Sequence, residues 1–264
     1  MVRSNFKKNN MKLILLLFFI SSFSFSQNIM VNYKQTYNYD FEDNRLIELF
    51  IDVKKNSSVQ ITNFQYQKYN SYDKIESSNT VSSSLGRKVD YDYLFLNLED
   101  KSLKMYQDLL KKFYDIQDVF PEVKWNLLAD KKKIDGIEVF KALGTYRGKE
   151  WEVWYAPSIP HSFGPWKLNG LPGLILSAVD KEKNNSFIVE KISYNASCKF
   201  CEVPKEKIDG QISMKDFLLL KDDSFNNKAK FFSRDVIIES SKFYFLDLET
   251  EFEFPIEFSW ETKK

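Results

Sequence analysis

Few residues in this chain carry reactive side chains, and their spacing limits what they could do. His161 is the only histidine of the 264 residues. A two-histidine metal site is therefore excluded, and a Ser-His-Asp site would have to use His161. Its neighbour Ser162 is adjacent in sequence, which is not triad geometry. No Gly-x-Ser-x-Gly elbow and no Gly-rich phosphate loop occurs. The two cysteines form Cys198-Lys-Phe-Cys201. In an oxidising compartment a close pair closes as a disulfide. As thiols the same pair could do redox chemistry, or hold a soft metal together with His161. A redox-active pair wants its first cysteine at a helix N-terminus, where the dipole lowers the thiol pKa. Here Pro204 and a charged run follow, which is a poor helix start. Acidic pairs such as Asp222-Asp223 and Glu251/Glu253 suit a solvated surface in a chain with 28% charged residues. No catalytic residue, metal or cofactor is expected.

The densest local signal is a loop. Between Trp154 and Leu176 the sequence places four of seven prolines, three of eight glycines and His161. Pro157, Pro160 and Pro165 stiffen a segment that carries Trp154, Tyr155, Phe163 and Trp166. A stiff aromatic loop has little conformational entropy left to lose, so it is a candidate binding surface. The candidate binding residues are Trp154, Tyr155, His161, Phe163 and Trp166. The competing reading is that these rings cap the sheet's own core. After the loop comes Gly170-Leu171-Pro172-Gly173-Leu174-Ile175. Leu-Pro-Gly fits a type II turn with Pro172 second and Gly173 third, and Leu174, Ile175 and Leu176 read as a buried strand.

The elements that must hold this loop are mostly strands. Aromatic residues make up 16% of the chain, and they suit pleated, half-buried surfaces. Strand patterns run over Met30–Tyr39, Leu46–Val53, Val59–Tyr69, Tyr91–Leu98 and Leu103–Tyr106. Asn70–Arg87, rich in Ser and Asn, reads as a connection. Val123, Trp125 and Leu127 alternate with polar residues, and Asp115–Pro121 reads as a turn. Asp135-Gly136 and Arg147-Gly148 separate further strands at Ile137–Tyr146 and Glu150–Ala156, a meander of short hairpins. Leu174–Val179 and Ser186–Tyr194 pair around Lys183-Asn184-Asn185. A short helix, Met214–Leu220, is capped by Ser213 with Asp216 three residues on. The tail Val236–Trp260 is strand-rich, with Pro255 confining it to an edge or bulge. The expected fold is mainly β, a curved antiparallel meander forming a half-barrel or open barrel, with one or two short helices.

The N-terminus reads as an export signal. Lys7, Lys8 and Lys12 precede an apolar run, Leu13–Ile20, and Ser24-Phe25-Ser26 offers a cleavage site before Gln27. Met11 is an alternative start. Residues 1–26 are thus read as a signal peptide and 27–264 as one β-rich domain. Without Arg3, Lys7, Lys8 and Lys12, 34 basic residues face 37 acidic ones, a net charge of −3. A mildly acidic chain of mixed charge is a poor nucleic-acid binder. No later run is long and apolar enough for a membrane-spanning helix.

The string GLPGLI at 170–175 resembles the signature of the GLPGLI family of exported bacterial proteins. The segment 134–160, "GPW" at 164–166 and "PIEF" at 255–258 are similar to further family positions. The resemblance implies export to the periplasm or outer membrane and a curved β-sheet. It also implies association with an outer-membrane receptor-like protein, and it carries over no catalytic residue. The functional expectation is a non-enzymatic binding or accessory protein for an outer-membrane partner or an apolar ligand or peptide. The alternative is a thiol-redox or metal-binding accessory centred on Cys198 and Cys201.

Overall fold

A computed structural model describes residues 28–38, 42–63, 91–109 and 111–221. The proposed leader, the Asn70–Arg87 connection, Asp222-Asp223, Glu251/Glu253, the 255–258 match and the Val236–Trp260 tail lie outside the described residues. Twelve strands form one sheet. They are β1 (Ile29–Asn38), β2 (Glu42–Asp52), β3 (Ser57–Asn63), β4 (Tyr91–Asn97), β5 (Ser102–Leu109) and β6 (Lys112–Gln117). Then follow β7 (Lys124–Ile134), β8 (Ile137–Tyr146), β9 (Lys149–Ala156), β10 (Leu174–Asp180), β11 (Asn185–Tyr194) and β12 (Ile208–Ser213). Their spatial order is β12-β6-β5-β4-β3-β2-β1-β11-β10-β9-β8-β7. Every pairing is antiparallel except the parallel one between β12 and β6.

The fold is therefore mainly β, an open and mostly antiparallel meander. Its curvature follows from one short link. β6 and β7 stand ten places apart in the strand order, which in a flat sheet is about 48 Å. Only residues 118–123 join them, and these span at most about 25 Å. The sheet must curl until its two margins approach each other.

Two of the hairpins, β7–β8 and β8–β9, form where Gly and its neighbour accept positive φ. Asp135 and Gly136 lie at 47° and 80°, Arg147 and Gly148 at 50° and 74°. Both turns have the left-handed pair of a type I′ hairpin, whose twist matches the strands. The short helix spans 214–221. The Asp216 N–H donates to Ser213 Oγ at 3.0 Å, and the Ser213 hydroxyl donates to Asp216 Oδ2 at 2.6 Å. Met214, Phe217 and Leu218 bury its apolar side in the main core.

Two strands differ from the sequence expectation. Asp115–Pro121 is not a turn at its start, because β6 runs through to Gln117, and β12 went unread. Both are short, and half their positions are polar. β7 also extends to Ile134, well past the alternation seen at Val123–Leu127. Its far end holds the run Lys131-Lys132-Lys133, which no apolar periodicity marks.

The sheet buries two opposite faces. The main core lies on the inner side and includes Val31, Tyr33, Leu49, Ile51, Trp151, Val153 and Phe187. A smaller cluster lies on the outer side of β3–β6, built from Ile61, Tyr93 and Phe113. Residues 195–208 fold over that cluster, and Cys198, Cys201, Val203 and Ile208 pack against it.

Candidate functional site

The Pro/Gly loop runs from Pro157 to Gly173, between β9 and β10. It descends in tight three-residue turns. The His161 N–H donates to the Ile159 carbonyl at 2.7 Å, Phe163 N–H to His161 O at 2.8 Å, and Gly173 N–H to Leu171 O at 2.8 Å. These i→i+2 bonds are γ-turns centred on Pro160, Ser162 and Pro172. The inverse γ-turn has φ near −75°, close to what the proline ring imposes. Leu-Pro-Gly is thus not the expected type II turn. Its Leu174 N–H is taken by the Ile159 carbonyl at 2.9 Å, so the bond that would close a type II turn is not made.

The loop turns inward, and this corrects the expectation that its rings are presented to a partner. Phe163 and Trp166 are 1% and 8% exposed, and Leu168 and Leu171 are buried beside them. Trp166 meets Tyr146 edge-on with ring centroids 5.3 Å apart, and Trp151 at 5.8 Å. The physical reason is a set of ties from distant elements. The Trp166 N–H donates to Gln60 Oε1 of β3 at 2.6 Å. Trp125 Nε1 of β7 donates to the Asn169 carbonyl at 2.7 Å. Asn169 Nδ2 donates to the carbonyls of Pro121 at 3.1 Å and Lys167 at 2.9 Å. Tyr33 of β1 donates its hydroxyl to the Ile175 carbonyl at 2.6 Å. Trp166 holds φ +54°, a left-handed conformation costly for a bulky residue. The indole stacking and the buried Gln60 bond hold it there. The loop is a plug inside the curl of the sheet.

A charged cluster lies beside the plug. Lys167 Nζ sits 2.7 Å from Asp118 Oδ2, and Arg147 pairs with the same carboxylate at 2.5 Å. All three side chains are buried. Burial works to raise the Asp118 carboxyl, but the charges and hydrogen bonds of Lys167 and Arg147 outweigh it and hold the group below its usual range. The cluster joins the loop, the β6–β7 link and the β8–β9 hairpin. Sequence reasoning missed it. A lysine between Trp166 and Leu168 carries no mark of burial, and its partner lies 49 residues away.

The remaining candidates separate. Tyr155 is buried in the core against Phe140. His161 is half-buried, and burial lowers its pKa below the ordinary value. Trp154 lies on the opposite face of β9. Its Nε1 donates to Glu152 Oε1 at 3.2 Å, and Lys132 Nζ sits 4.1 Å above its ring. Lys141 lies 2.8 Å from Glu152, and its hydrogen bond holds that carboxyl below the usual value.

Ladder register defines the surroundings of Trp154. Lys141, Trp154, Ser177, Ile188 and Lys34 stand side by side on β8, β9, β10, β11 and β1. The next row holds Leu143, Glu152, Val179, Ser186 and Thr36. Ile188 is 50% exposed and Leu143 39%. This is the half of the outer face that residues 195–208 do not cover.

Cys198 and Cys201 form a disulfide with Cα atoms 5.6 Å apart. Between them Phe200 stacks on Tyr91, centroids 5.1 Å apart. Both sulfurs belong to the outer aromatic cluster rather than to a helix N-terminus. Among the described residues no group of three or more His, Cys, Asp or Glu is placed to hold a metal. No helix among them is long and apolar enough to cross a membrane.

No family model and no curated protein sequence matches the chain. Among solved structures the chain is similar to PNGF-II in two crystal forms. One has 16% identity and TM-score 0.46, covering 74% of this chain and 32% of that one. The other has 12% identity and TM-score 0.49, covering 74% and 33%. The chain spans about a third of the length of PNGF-II. A Vibrio parahaemolyticus domain described as an outer membrane lipoprotein-sorting protein shares 11% identity at TM-score 0.26, covering 69% of this chain and 90% of that one. At these identities and scores none of the three carries an argument about activity.

Proposed function

We propose that this is an exported, non-enzymatic accessory protein of the GLPGLI type that docks on an envelope protein through the outer face of β8–β11. One observation carries the reading. The inner hollow is filled by the chain's own Phe163, Trp166, Leu168 and Leu171. Half of the outer face is covered by the disulfide segment. Around Trp154 the outer face instead presents Ile188, Leu143, Lys141 and Lys34 in two adjoining rows. An indole flanked by exposed aliphatic side chains offers a protein contact an aromatic anchor and apolar area. The same filling of the hollow argues for a protein partner over an apolar chain held inside the sheet. The alternative, a thiol-redox or metal-binding accessory centred on Cys198 and Cys201, is the less favoured reading, because the pair packs on the aromatic cluster of β3–β6 and not at a helix N-terminus.

The test is site-specific photocrosslinking in cells that make the full chain. A photoreactive residue at Leu143, Trp154 or Ile188 is expected to give the same discrete adduct, while one at exposed Val119 gives none. No adduct from any of the three, in protein that folds and is exported, overturns the reading. Adducts at Val119 alone would do so as well.

A further inference from the structure

None of the eleven residues of β7 is buried, and β7 ends the strand order among the described residues. Its neighbour β8 buries Val139, Ala142 and Tyr146. The edge carries two kinds of side chain. Near its start, Trp125 and Leu127 pair with Gly144 and Ala142 of β8, so they share the inner side with the core. Leu127 is 52% exposed there. At its far end Lys131, Lys132 and Lys133 follow one another. With Lys124 the strand holds four cations against one carboxylate, Asp130. The whole chain has 38 basic and 37 acidic residues, so this charge is local to the edge.

The cations are open to an incoming group. Lys131 Nζ lies 3.2 Å from Glu138, with the two side chains 61% and 51% exposed, and an ion pair in water is weak. Lys132 Nζ sits 4.1 Å above the Trp154 ring. The basic end of β7 therefore adjoins the face through which the envelope partner docks. We propose that this partner adds a short acidic strand to the outer edge of β7, with carboxylates against Lys131, Lys132 and Lys133 and an apolar side chain against Leu127. This rests on the docking reading for the existence of a partner and supplies the partner's chemistry.

An edge strand offers its backbone N–H and C=O groups as a template for an extended segment. Opposite charges across the new ladder favour the pairing, and like charges oppose it. Two copies of this chain meeting edge to edge would bring two basic strands together, so the charge disfavours self-pairing and favours an acidic stranger. The register of β7 shifts between Leu127 and Lys131, and that bulge leaves two short straight stretches. Backbone bonds alone are then few. The lysines and Leu127 decide which strand is accepted.

Hydrogen exchange of the full chain, read at single amides with and without a synthetic peptide alternating Glu and Val, tests this. Without peptide, the β7 amides not bonded to β8 are expected to exchange near the free-chain rate. At saturating peptide they are expected to slow about 10-fold, and added salt is expected to weaken the effect. A peptide alternating Lys and Val is expected to change nothing. Lys131→Glu with Lys133→Glu is expected to abolish the slowing while Val31 and Phe187 stay protected. If that variant loses protection everywhere, Lys131→Gln with Lys133→Gln decides. No slowing with the acidic peptide, equal slowing with both peptides, or slowing that survives the lysine variants overturns the proposal. So does slow exchange in the peptide-free protein, because the edge is then already taken by another part of the chain or by a second copy. Adducts at Trp154 without a peptide effect overturn the acidic strand and leave the docking reading standing. A peptide effect without adducts overturns the docking reading and leaves the edge as a site of its own.

Discussion

Lys167 Nζ lies 2.7 Å from the Asp118 carboxylate with both side chains buried, and this contact pins the Pro/Gly loop to the link between β6 and β7. The loop holds the curl of the sheet together. Asp118 serves two cations at once, so its loss is worse than the loss of either. Asp118→Asn is expected to cost about 3–5 kcal/mol, the range for leaving a buried charge without its counter-ion. Lys167→Met keeps the Arg147–Asp118 pair and is expected to cost less. Urea unfolding of both variants checks the order. The Asp118 carboxyl titrates below its usual value in the folded state. Its contribution is therefore complete above the ordinary carboxylate range and is lost as pH falls through the lowered value. The parent is expected to lose stability on acidification below about pH 4 more steeply than Asp118→Asn.

His161 gives a second, separate window. Burial lowers its pKa, so the folded protein favours the neutral ring. The unfolded chain takes up the proton near pH 6.5, so stability is whole above that pH and declines below it. His161→Gln is expected to flatten the stability profile below about pH 6.5, and leave it unchanged well above that pH. Melting temperatures across that range check this.

Three glycines rank by what a methyl group would meet. At Gly173 a new Cβ would lie 2.8 Å from Pro157 N and closer still to the Ala156 backbone, which cannot swing aside. At Gly144 it would lie 2.5 Å from the Trp125 ring, displacing the indole that holds Asn169. At Gly136 the space is open, but φ is +80°, so only conformational strain of about 1–2 kcal/mol applies. The expected order of destabilisation by alanine is Gly173, then Gly144, then Gly136, with the first above about 3 kcal/mol because the overlap is with backbone. Thermal unfolding checks it.

The disulfide closes a very short loop, so its loss is expected to cost only about 2 kcal/mol. For a domain of this size that is a fall of roughly 4–8 °C in Tm. Cys198→Ser with Cys201→Ser should keep the sheet's circular dichroism and disturb mainly the Tyr91–Phe200 stack. Collapse of the whole fold would show that the outer cluster holds up the sheet, contrary to expectation.

Much of the fold was legible because hairpin chemistry is local. Asp135-Gly136, Arg147-Gly148 and the Ser213/Asp216 cap each announce themselves within four residues. β6 and β12 were not legible, because a short strand with half its positions polar shows no clear period. The site was half legible. Pro and Gly density marked the segment, but the direction in which Phe163 and Trp166 point depends on Gln60, Trp125 and Asp118, and those contacts exist only once the sheet has curled. The cysteine pair was legible as a disulfide from spacing and compartment, while the aromatic cluster beneath it required the register of β3–β6.

The most direct test of the plug is native-state hydrogen exchange at Trp166, Leu168, Gly170 and Ile175, compared with Val31 and Phe187 in the core. The expected result is that these four amides, three in the loop and one in β10, open only with the whole sheet, at the same free energy as Val31 and Phe187 and with the same urea dependence. Exchange of the four by a low-energy local opening, while β1 and β11 stay closed, would contradict a plug and make the segment a mobile surface loop.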